Sequence, residues 1–180
     1  MTDQSYQELK KTYLDNITRM MTDMGGMPAH IAIFGVHKDE SIDVRDAIIH
    51  IEIPSSIMKS DRGKDLFLDK MIPGIATKIR DKITPHGVAW TSEAYLRTAP
   101  IDGEVPENWK DLPIQKEVLI INMEFEHVTE TLIYEIVRDG QQVTEDGDLV
   151  DQIKLQEIEG MKSPEMVSGR FTGLYQKFKD

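Results

Sequence analysis

His50 and Glu52 stand two residues apart in RDAIIHIEI, Arg45 to Ile53. In an extended strand that spacing puts an imidazole and a carboxylate on one face. Thr91 and Glu93 share a face of GVAWTSEAYLRT, Gly87 to Thr98. Asn122, Glu124 and Glu126 share one in the run that begins at Lys116. If these strands are neighbours and their faces coincide, His50, Glu52, Glu93 and Glu124 converge on one patch. Oxygen and imidazole ligands without thiolates suit manganese, iron or zinc. The same groups could serve general acid–base chemistry. The competing expectation is a solvated sheet face, which polar alternation along an antiparallel strand ordinarily marks.

Other chemistry finds less support. The chain has no G-x-S-x-G elbow, no H-E-x-x-H and no G-x-G-x-x-G. Arg62-Gly63-Lys64-Asp65 lacks the earlier glycine and the following hydroxyl residue of a phosphate-binding loop. His50-x-Glu52 has the H-x-E spacing of the zinc deaminases, but those sites hold their metal with cysteine and this chain has none. Asp146-Gly147-Asp148 is too short for a calcium-binding loop. No catalytic residue and no cofactor follows from any of these patterns.

The elements that must position such a site are legible from periodicity. The chain is organised around Lys116 to Gly140, two apolar-rich runs that read as neighbouring antiparallel strands. Leu119, Ile121, Met123 and Phe125 form one apolar face of the first run and need a cover. Val118 and Ile120 open the other face, which ends acidic. Asp139-Gly140 predicts a tight turn after the second run. Thr2 to Met24 is an amphipathic helix closed by Gly25-Gly26. His30 to Val36 and Arg45 to Ile53 are two strands of a hairpin. Asp61 to Ile83 is a second helix, capped at Ser60 or Asp61 and kinked or restarted at Pro73-Gly74. It is the expected cover for the Leu119 face.

Gly87 to Thr98 is a further strand, Pro100 to Pro113 a loop holding Trp109, and Leu149 to Ile158 a last strand after a turn at Glu145 to Asp148. Ser163-Pro164-Glu165 marks a helix start in the tail, where Phe171, Leu174, Tyr175 and Phe178 recur at helical spacing. The order helix, two strands, helix, several strands resembles the profilin or longin layout. That resemblance covers about the first 140 residues as a pattern of elements and carries no motif. It implies an α+β sandwich used mostly for binding.

Composition narrows the function classes. A chain of 180 residues with 39% hydrophobic and 29% charged residues fits one soluble domain. No run approaches the ~18 apolar residues of a membrane span. The absence of cysteine removes disulfides and thiol chemistry and suits a cytoplasmic location. Residues 1–100 carry 14 acids and 13 bases, residues 101–160 carry 16 and 4, and residues 161–180 carry 2 and 4. The net charge of −11 therefore sits in the middle block and disfavours direct contact with nucleic acid or anionic lipid.

The expectation is a single α+β domain over residues 1–160, mainly an antiparallel sheet of five or six strands with two helices on one face. Residues 161–180 form a tail, docked on the body or binding a partner. The leading functional reading is a non-enzymatic domain that binds another protein or itself. Self-association would use the strip Val118, Ile120, Ile133 and Val137. The alternatives are a small metal binder or hydrolase at His50, Glu52, Glu93 and Glu124, and an acidic decoy of a nucleic-acid-binding protein.

Overall fold

The computed structural model describes residues 3–41, 46–97, 112–143, 147, 149–158 and 171–179. Residues 98–111, with Trp109 and the acids Asp102, Glu104 and Glu107, lie outside that set. So do most of the turn expected at Glu145 to Asp148 and the helix start at Ser163-Pro164-Glu165.

Within the described residues the chain runs α1 (Asp3–Met24), β1 (His30–His37), β2 (Asp46–Glu52), α2 (Ser55–Met58) and α3 (Asp61–Leu66). A π-helical turn (Phe67–Met71) leads into α4 (Ile72–Arg80). Then follow β3 (Ile83–Arg97), β4 (Ile114–Phe125), β5 (Thr129–Val143), β6 (Leu149–Glu157) and α5 (Leu174–Lys179). The strands form one six-stranded sheet in the order β2-β1-β3-β4-β5-β6. The fold is α+β, an antiparallel sheet with two major helices packed against it. Contacts divide the chain into two compact units. The first comprises Met1–Met27, Glu93–Leu119 and Tyr134–Ile158; the second comprises Pro28–Ser92, Ile120–Ile133 and Glu159–Asp180.

In the first unit α1 buries Tyr6, Tyr13, Ile17 and Met21, the i, i+4 stripe of an amphipathic helix. Gly25, at φ +70°, closes it in the left-handed conformation. Strand β5 does not turn at Asp139-Gly140 as the sequence predicts. It continues to Val143, and the ladder with β6 shifts register between Arg138 and Gln141. Gly140, at φ +79°, sits at that bulge. A bulge and a tight turn both ask for a residue with positive φ, so Asp-Gly reads alike in sequence for either.

In the second unit β1 pairs antiparallel with β2 and with β3. Ser60 caps α3 by accepting the Gly63 N–H at 3.0 Å. The helix passes the Pro73 problem with the π turn: the Ile72 N–H reaches back five residues to the Phe67 carbonyl. Pro73 then falls in the first turn of α4, where its missing N–H leaves no gap in the ladder. Leu68, Ile72, Ala76 and Ile79 pack with Ile31, Ile33, Ile53, Ile83 and Val88 and with the tail residues Phe171, Leu174, Tyr175 and Phe178. Each fully buried side chain of this kind contributes about 1.5–3 kcal/mol.

The expected cover is thereby corrected. Ile121, Met123 and Phe125 are buried, but the helix cluster is built on Ile31 and Ile33 instead. The tail of the second unit reaches β4 at Glu124, on the opposite face from Phe125.

Candidate functional site

Alternation along β1 separates two sets. Ile31 and Ile33 enter the helix core. His30, Ala32 and Phe34 point the other way. Register completes that second face: Glu52 and Thr91 flank His30, while His50 and Ala89 flank Ala32. His30 and His50 are thus diagonal neighbours across the β1–β2 hairpin, with ring centroids 5.5 Å apart and planes tilted by 36°.

The two rings differ in setting. His30 is 3% exposed, and its Nδ1 lies 3.3 Å from the Pro28 carbonyl oxygen. A carbonyl only accepts, so Nδ1 donates and Nε2 carries the lone pair. Burial pushes the His30 pKa down to about 4; the Pro28 bond opposes the shift and the neighbouring His50 adds to it. His50 is solvent-facing, and partial burial lowers its pKa as well.

Glu124 lies on the opposite face of the sheet within the same unit. Phe125 stacks on Phe34, with centroids 5.6 Å apart and planes 23° apart, and so belongs to the His30 face. Its neighbour Glu124 must point away from that face. The Glu124 carboxylate is 6% exposed. Oε1 accepts the Gly173 N–H at 2.8 Å and the Asn122 amide at 3.1 Å, and Oε2 accepts the Tyr175 N–H at 3.0 Å. The Thr131 hydroxyl in turn donates to Asn122 Oδ1 at 3.3 Å. Glu124 therefore holds the start of α5, and the expected solvated or metal-binding face is here the seat of the tail. Phe171 stacks on Trp90 with centroids 5.0 Å apart and planes 6° apart. Lys179 pairs with Glu126 at 2.8 Å.

Glu93 belongs to the first unit. Its carboxylate accepts the Met27 N–H at the turn that follows α1. Burial raises its pKa; the Met27 bond opposes this, Glu117 adds to it, and Arg138 works against it. Arg138 grips both oxygens of Glu117 at 3.2 Å and donates to the Gly25 carbonyl at 2.9 Å.

The four residues expected as metal ligands are not brought together. His50 and Glu52 share a face, Glu124 points to the other face, and Glu93 serves the turn after α1. Among the described residues no three His, Asp or Glu side chains gather where a metal ion could sit. The residue that does meet His50 is His30, which the sequence reading placed in a strand without a role. Its signal is one histidine on each strand of a predicted hairpin, but only the register makes them neighbours.

Of the strip residues, Val118 is buried and Ile120, Ile133 and Val137 are half-buried. The exposed large apolar side chains include Tyr95, Ile114, Val143 and Leu149 in the first unit. Five carboxylates of the acidic block face bases. Glu117 and Asp151 face Arg138, Glu135 faces Lys116, Asp139 faces Lys154 and Glu126 faces Lys179. No protein-family model, characterised protein or solved structure matches the chain. Among the described residues no helix is long and apolar enough to cross a membrane.

Proposed function

We propose that the chain is a non-catalytic, cytoplasmic protein-binding domain that associates with a second copy of itself. The observation that carries this reading is at the turn end of the β5–β6 ladder. Val143 and Leu149 face each other across the ladder and are 66% and 61% exposed. β6 is also the last strand of the sheet. An edge strand with a bare apolar pair at its tip offers both backbone groups and apolar surface to another chain. The acidic-decoy reading draws less support, because at least five carboxylates of the acidic block already face a base of the same chain.

Sedimentation equilibrium tests the proposal. Wild type is expected to be a dimer or larger species in the micromolar range. The double variant Val143→Lys, Leu149→Lys is expected to be a folded monomer. A wild-type monomer at high micromolar concentration, or a double variant that associates as well as wild type, sinks it. Association broken instead by Ile120→Asp alone would move the interface to the half-buried strip.

A further inference from the structure

We propose that the tail Phe171–Lys179 is an exchangeable segment: the seat on the second unit that holds a chain's own tail also takes the tail of a second copy. The inference goes beyond the Val143–Leu149 contact and does not depend on it.

The seat holds the tail and nothing before it. Phe171 stacks on Trp90 of β3. Leu174, Tyr175 and Phe178 share a core with Ile72, Ala76 and Ile79 of α4. Glu124 of β4 accepts the Gly173 and Tyr175 N–H groups. Arg80, at the end of α4, donates to the Lys177 and Phe178 carbonyls. Lys179 pairs with Glu126, so the charges of tail and seat also match. A carboxylate thus holds the start of the short helix and a guanidinium holds its end. Each of these contacts involves a tail residue at or after Phe171. The tail of a second copy reproduces them all, and exchange of an identical element is a low-cost route to a dimer.

Release of the tail is local. A helix of six residues does not persist alone in water, so α5 forms as it seats and leaves as an unfolded segment. The seat also keeps one polar group unpaired. The Trp90 indole N–H is buried and has no hydrogen-bond partner among the described residues. Phe171 lies flat on that ring, with planes 6° apart, and offers it no acceptor. Removing Phe171 uncovers the indole to water, which lowers the cost of opening. Residues 159–170 separate Ile158 from Phe171. A connection of that length spans at most ~45 Å, against a diameter of ~30 Å for a small domain, so a tail can reach a neighbouring copy. A chain's own tail competes at an effective concentration in the millimolar range. Exchange is therefore best read where that competition has been removed.

The experiment mixes two full-length variants. One carries Glu124→Ala, which spoils its seat and leaves its tail intact. The other carries Phe178→Ala, which spoils its tail and leaves its seat intact. Both also carry Val143→Lys and Leu149→Lys, so the contact proposed above is absent and its failure is not mistaken for failure of exchange. By sedimentation velocity each variant alone is expected to be a monomer. The equimolar mixture is expected to form a one-to-one heterodimer at least tenfold tighter than either homodimer. With only the Glu124→Ala copy isotopically labelled, hydrogen exchange at its Gly173 and Tyr175 amides should slow at least tenfold on mixing, because Glu124 of the other copy now accepts them. Should either variant fail to fold, Arg80→Glu serves as the spoiled seat, since Arg80 is only half-buried, and Phe171→Ala as the spoiled tail. A mixture that shows no heterodimer leaves the seat to the chain's own tail and overturns the proposal. So does a heterodimer in which the labelled amides stay unprotected.

Discussion

Glu93 carries a carboxylate into partial burial, where it accepts the Met27 backbone N–H. Burial raises its pKa above the ordinary carboxylate value. Between the ordinary value and the raised one, the folded chain holds a proton that the unfolded chain has released. Stability therefore falls as pH rises through that window, and the penalty vanishes below the ordinary value. Glu93→Gln keeps an acceptor for Met27 and cannot ionise. We expect the variant to be at least as stable as wild type at pH 7 and to lose this part of the pH dependence. Urea titrations at pH 4.5 and pH 7 measure both. A variant whose stability changes with pH as steeply as wild type contradicts the account.

Among the elements, α5 depends most on what surrounds it. Six residues are too few for an isolated helix to persist in water. Its start is held by Glu124 through the Gly173 and Tyr175 N–H groups. At its end Arg80 donates to the Lys177 and Phe178 carbonyls at 3.3 and 3.5 Å. Removing the buried acceptor strands two N–H groups at once. Glu124→Ala is expected to cost about 2–4 kcal/mol, the range for two bonds to a buried charged group and their unpaired donors. It should also speed hydrogen exchange at Gly173 and Tyr175 ahead of the β1 and β3 amides. Unchanged protection at those two positions would falsify an anchoring role. Glu124→Gln, which keeps an acceptor, should fall between the two.

For the molecule as a whole, a net charge of −11 opposes the pairing of two copies. The proposed contact is apolar, through Val143 and Leu149, so salt should screen the repulsion without weakening the attraction. We expect self-association to strengthen as ionic strength rises from about 0.05 to 0.5 M, where the screening length shrinks from well above 10 Å to below it. Light scattering across that range provides the check. Association that dissolves in salt would point to a charged interface and remove the apolar pair as its basis.

Much of the fold could be read from local pattern. The α1 stripe at Tyr13, Ile17 and Met21, the β1–β2 hairpin and the Ser60 cap all depend on residues within a few positions of one another. The apolar Leu119 face was legible for the same reason, and its residues are buried. What covers each face was not legible. Period-two alternation says which residues of one strand share a face, and nothing about which faces of different strands coincide. That register places His30 beside His50, and it turns Glu124 to the other face. The bulge at Gly140 and the tight turn expected there ask for the same residue, so the length of β5 was open too. The sequence by itself determined the elements, the charge distribution and the absence of thiol chemistry. The tertiary structure decided which polar residues meet, because those meetings join positions 20 to 51 residues apart that only the packed sheet and the docked tail bring together.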